Sequence, residues 1–116
     1  MKSLRLVPIE YSTDSICYGF TVLETDFQID LMDAIQRLSD EPVSQIFESF
    51  LLIKGNQYQR GVTLFDAHGN SLKSVLCHDL CELSTHKGVL QFQRNRAVWA
   101  YLKQLEPESK VVLFWY

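Results

Sequence analysis

Between positions 66 and 86 the chain carries Asp66, His68, Cys77, His78, Cys81 and His86, its densest run of side chains able to bind a metal or attack a substrate. Two thiolates and two imidazoles are the ligand types that zinc takes in tetrahedral sites. Their spacing argues against such a site. No Cys-x-x-Cys pair occurs, and Cys77 and Cys81 share a face only in a helix, whereas the local pattern leans to strands. The expectation is no metal, with Cys17, Cys77 and Cys81 buried as small hydrophobes. A nucleophilic thiol needs a neighbouring base, and Cys77 and His78, adjacent on a strand, point to opposite faces. Asp66 and His68 could serve a small hydrolase as an acid/base pair. Asp-x-His-Gly-Asn is equally an ordinary turn composition, in which the aspartate accepts backbone N–H bonds.

Other chemistries leave weaker traces. The five glycines stand apart, with neither G-x-G-x-x-G nor G-x-x-x-x-G-K-[ST], so no nucleotide cofactor is expected. Lys87, Arg94, Arg96, Lys103 and Lys110, with Trp99 and Tyr101 near them, combine cations with stacking rings as a nucleic-acid surface does. The overall pI of about 5.5 opposes that reading, and Arg94 and Arg96 are more simply the solvated start of a helix. Neither an enzyme nor a direct nucleic-acid binder is expected.

Charge is the most unequal property of the chain. Residues 7–53 hold nine acidic residues and one basic residue, Arg37, a formal −8; residues 54–116 hold eight basic and five acidic residues, +3. The net charge of −3 hides this division. Exposed helix faces are normally charged, but usually with both signs interspersed. A one-signed stretch can focus a field and speed encounter with a cationic partner. Asp26, Asp30, Asp33, Asp40, Glu41 and Glu48 are therefore the candidate partner-binding residues.

The elements that must position these groups read as follows. Leu4–Tyr11 and Ile16–Glu24, rich in β-branched and aromatic residues around Ser12-Thr13-Asp14-Ser15, predict an opening hairpin, with Pro8 at an edge or bulge. Leu31, Ala34, Ile35 and Leu38 predict a helix capped by Thr25 or Asp30, with Asp26, Asp33 and Asp40 opposite its apolar face. Val43, Ile46, Phe47 and Phe50 predict a second helix after Pro42. Tyr58–Phe65 and Leu72–Cys77 predict a hairpin around residues 66–70. Leu80–Leu83 and Val89–Phe92 suggest another, although the first is short enough to be helical. Val98, Tyr101, Leu102 and Leu105 predict a last helix, with Asn95 as a possible cap and Pro107 at the exit. Residues 111–116, apolar on both faces, predict a buried strand; the alternative is that Trp115 and Tyr116 are exposed interface anchors.

The expected fold is α+β over one domain, residues 1–116: an antiparallel or mixed sheet of about five or six strands with two or three helices mainly on one face. The odd cysteine count and the lack of a leader-like or membrane-spanning apolar run point to the cytoplasm. The expected function is non-enzymatic: an acidic bacterial immunity protein or antitoxin that occludes the active site of a basic nuclease toxin. The small size, acidic stretch and absence of catalytic motifs resemble the general profile of immunity proteins. The alternatives are a nucleic-acid-mimicking inhibitor, a small subunit of a larger assembly, or the Asp66/His68 hydrolase. Cofactors and membrane partners are not expected.

Overall fold

The computed structural model describes residues 2–11, 16–17, 21–43, 47–48, 53–54, 57–58, 62–63 and 65–116, and the side chains of 2–9, 21–43 and 65–116. In chain order the elements are β1 (Leu4–Pro8), β2 (Glu10–Tyr11), β3 (Ile16–Cys17), β4 (Leu23–Glu24), α1 (Ile29–Gln36), β5 (Glu41–Pro42), β6 (Phe47–Glu48), β7 (Ile53–Lys54), β8 (Gln57–Tyr58), β9 (Val62–Thr63), β10 (Lys73–Leu76), α2 (Cys77–Cys81), a 3₁₀ turn (Glu82–Thr85), α3 (Lys87–Leu90), α4 (Gln93–Leu102) and β11 (Lys110–Trp115).

Five strands form an antiparallel sheet in the order β4-β1-β11-β10-β5. The C-terminal apolar run is its central strand. Alternation along β11 explains why nearly every residue there is apolar: Val111 and Leu113 enter one core cluster, Val112 and Phe114 the other. The larger cluster joins Leu4, Leu6, Val75, Val111 and Leu113 to helical residues Leu31, Ile35, Leu80, Val98, Trp99 and Leu102. The helices thus cover one face, and the fold is α+β. The second cluster gathers Val7, Leu72, Val112 and Phe114, with Ile9, Val22, Val43 and Tyr116 against it.

Pro8 is neither on an edge strand nor at a bulge. The bonds at Ser3–Tyr116 and from Ile9 N to Lys110 O fix the antiparallel alternation, so the nitrogen of Pro8 faces away from β11. On that side the ladder with β4 covers only Arg5 and Leu6, so no donor is missed. The opening hairpin forms in two stretches, β1 with β4 and β2 with β3.

Several expected elements differ. Phe47–Glu48 is a strand paired with β9, not part of a second helix; residues 44–46 and 49–50 of that expectation lie outside the described residues. β7 pairs with β8, Ile53 opposite Tyr58 and Lys54 opposite Gln57. Leu80–Leu83 and Val89–Phe92 are not a hairpin: α2, the 3₁₀ turn and α3 occupy this stretch. Around residues 66–70 the expected hairpin is reduced to the Phe65–Ser71 bridge, and Tyr58 pairs instead in β8.

Candidate functional site

The metal-ligand types are separated by the helices that carry them. Cys77 and Cys81 do share a helical face on α2, with sulfurs 4.0 Å apart. Cys77 is fully buried and its thiol donates to Leu102 O at 3.1 Å. Burial, reinforced by Cys81, pushes that thiol up to about 12, so it is no nucleophile near neutrality. His78 turns to Glu82, at 3.2 Å. His86 caps α3, its Nδ1 accepting from Gly88 N at 2.9 Å. Among the described residues no three potential ligands assemble.

Asp66 and His68 do not meet as acid and base. Asp66 is buried, and its Oδ1 accepts the backbone N–H groups of His68 (2.8 Å) and Asn70 (3.0 Å), closing the turn that Gly69 completes with φ of 81°. What His68 supplies is its backbone, while its side chain is exposed.

The candidate acids are placed differently from expectation. Helix α1 spans Ile29–Gln36, so Asp26 and Asp40 lie outside it, and only Asp30 and Asp33 ride on its exposed side. Its cap is Gln28, which accepts from Leu31 N at 2.7 Å; Thr25 is buried and donates instead to Leu4 O. Four of the six acids meet cations from the later half of the chain: Asp26 with Arg94 (3.5 Å), Asp30 with Lys87 (2.6 Å), Asp40 with Lys73 (3.8 Å) and Glu41 with Lys110 (2.8 Å). Hydrogen bonds from Lys87 and Lys110 hold the Asp30 and Glu41 carboxyls below the usual carboxylate range. The two halves divided in sequence are therefore interleaved in space. Asp33 is exposed with no ion pair among the described residues, and the Glu48 side chain lies outside them.

Acids do converge at one place. The loop after α1, the edge strand β5 and helix α2 border a cleft of about 180 Å³ lined by Asp40, Glu41, Asp79, Leu76 and Lys110. Two ammoniums meet its three carboxylates: Lys110, on the lining, at Glu41, and Lys73, just outside it, at Asp40. Asp79 has no ion pair among the described residues, the Asp40–Lys73 separation is long, and Leu76 is 41% exposed. The volume falls below the ~300–1,000 Å³ of small-molecule pockets, leaving room for a basic side chain instead. The strand-like pattern leading into Cys77 masks Asp79 in the sequence; Cys77, Leu80 and Cys81 at i, i+3 and i+4 are the helical signal that places it.

The sheet carries a second charged group, for a structural end. Arg5 pairs with Glu24 and lies 3.9 Å from the centre of the Tyr116 ring, whose hydroxyl donates to Glu24 at 2.5 Å. Burial, then Glu24, raises the Tyr116 hydroxyl above its ordinary value. Trp115 packs partly buried against the main core, so neither terminal aromatic is a free anchor.

No protein-family profile, curated protein or solved structure matches the chain. No helix among the described residues is long and apolar enough to cross a membrane.

Proposed function

We propose that this chain is a non-enzymatic protein that captures a basic protein partner, most concretely a bacterial immunity protein or antitoxin that blocks the substrate-binding cleft of a cationic nuclease toxin. The lining of one cleft by Asp40, Glu41 and Asp79, three carboxylates against Lys110 and the loosely held Lys73, carries this reading. A lysine or arginine of the partner enters between the carboxylates, as it would between nucleic-acid phosphates, while Leu76 supplies apolar contact. The existing pairs do not oppose this. Asp40–Lys73 and Glu41–Lys110 are solvent-screened surface pairs, which hold their partners weakly and exchange readily for a partner's guanidinium. Asp26 and Asp30, engaged by Arg94 and Lys87, contribute through the general field. The site of action is the reducing cytoplasm, consistent with the odd number of cysteines.

The test is capture from the native host with the intact protein as bait, washed at rising salt, followed by nuclease assay of what is released. The reading expects one basic protein, released by salt, whose nuclease activity falls when the bait is restored. Release of a nucleic-acid-handling complex would favour the mimic reading; a retained partner indifferent to salt would overturn electrostatic capture.

A further inference from the structure

A groove between α3 and α4 has no part in the acidic cleft and shares no lining residue with it. Val89 and Trp99, both buried, form its floor, and Ala100 and Leu90 its exposed walls; Leu90 is 51% exposed although apolar. Arg96 and Lys103 stand on the rim. Among the described residues no carboxylate lines it, and neither cation has an ion pair. Arg96 is instead laid across the groove mouth, donating through Nη1 to Leu90 O at 2.6 Å.

Helix α4 explains why this is unusual. Its first turn contains Arg94 and no acidic residue, and Arg96 follows, so cations sit where the helix dipole favours anions. Arg94 is offset by Asp26 at 3.5 Å; Arg96 has no such partner among the described residues. An anionic occupant would supply the missing charge. Stacking of nucleic-acid bases is poorly served, because Trp99 is buried with its indole N–H committed to Leu80 O at 2.8 Å. What the groove offers is apolar surface with a cationic rim.

We propose that the α3–α4 groove docks an acidic amphipathic peptide segment of a partner protein, its apolar residues against Leu90, Val89 and Ala100 and its carboxylates on Arg96 and Lys103. The probe is a fluorescein-labelled synthetic peptide with leucines at helical spacing among glutamates, compared with a version carrying glutamine for glutamate and with oligothymidylate. The Glu/Leu peptide is expected to raise anisotropy and to shift the amide resonances of Leu90, Ala97, Ala100 and Lys103. Arg96→Glu with Lys103→Glu should weaken binding by about tenfold or more, as should Lys103→Glu alone to a lesser degree. Leu90→Ser should weaken it at every salt concentration, and Asp40→Lys should not. Equal binding of the glutamine peptide, preferential binding of oligothymidylate, or affinity unchanged in the rim variants would overturn the proposal.

Discussion

Asn95 has no solvent exposure and joins three parts of the chain through one amide. Its Nδ2 donates to Asp26 O (3.0 Å) and Gly88 O (2.8 Å), and its Oδ1 accepts from Asp26 N (2.7 Å). It is therefore not a helix cap, that position belonging to Phe92, but the stitch holding α3 and the segment before α1 to α4. Asn95→Ala strands one donor and two acceptors and should cost about 3 kcal/mol, read as a fall in Tm of roughly 10 °C. Cys77 offers a second check. Its folded pKa lies above the ordinary value of 9.0, so stability is constant with respect to this group below pH 9 and is lost as pH rises toward about 12. Denaturant titrations across that range should show the loss, and Cys77→Ala should flatten it. In the native protein a thiol reagent should label Cys81, which is partly exposed, well before Cys77.

Among the elements, α3 depends on a residue without a side chain. A Cβ on Gly88 would stand 2.5 Å from Leu31 Cβ and 2.7 Å from Gln28 Oε1, so α3 reaches α1 only because this position is glycine. Gly88→Ala should destabilise by about 1–3 kcal/mol in equilibrium unfolding despite the better helix propensity of alanine. Elements with long, unbroken periodicity were legible in the sequence: α1 from Leu31, Ala34 and Ile35, α4 from Val98, Tyr101 and Leu102, and β11 from its apolar run. Short ones were not. The stretch 77–92 folds as helical pieces of four or five residues, whose periodicity spans barely a turn and whose stability comes from Leu80, Val89 and Trp99 packing together. The acidic site was half legible for the same reason: Asp40 and Glu41 were marked by charge, whereas Asp79 joins them only through the placement of α2.

For the whole molecule, the central place of β11 means that the sheet closes only when the last strand is present. Leu4–Pro8 and Lys73–Leu76 both pair with it, and Phe114 is buried beneath the second face. Phe114→Ala should cost ~3–5 kcal/mol, measured by chemical denaturation. The charge division is likewise a property of the fold. Cross-half pairs from Asp26, Asp30, Asp40 and Glu41 intersperse the two signs, and the cleft keeps a local acidic excess only through Asp79, which adds a third carboxylate to the Asp40–Lys73 and Glu41–Lys110 pairs. A field that is local rather than hemispheric should act through a few side chains, not through net charge.

That distinction sets the most direct measurement. The Kd of the captured basic protein should be determined against salt concentration for the intact protein and for Asp40→Lys with Asp79→Lys, both confirmed folded. The account predicts binding weakened by about tenfold or more in the variant, with a flatter salt dependence, while Asp26→Lys has a smaller effect. The same Kd and the same salt slope in the double variant would contradict it.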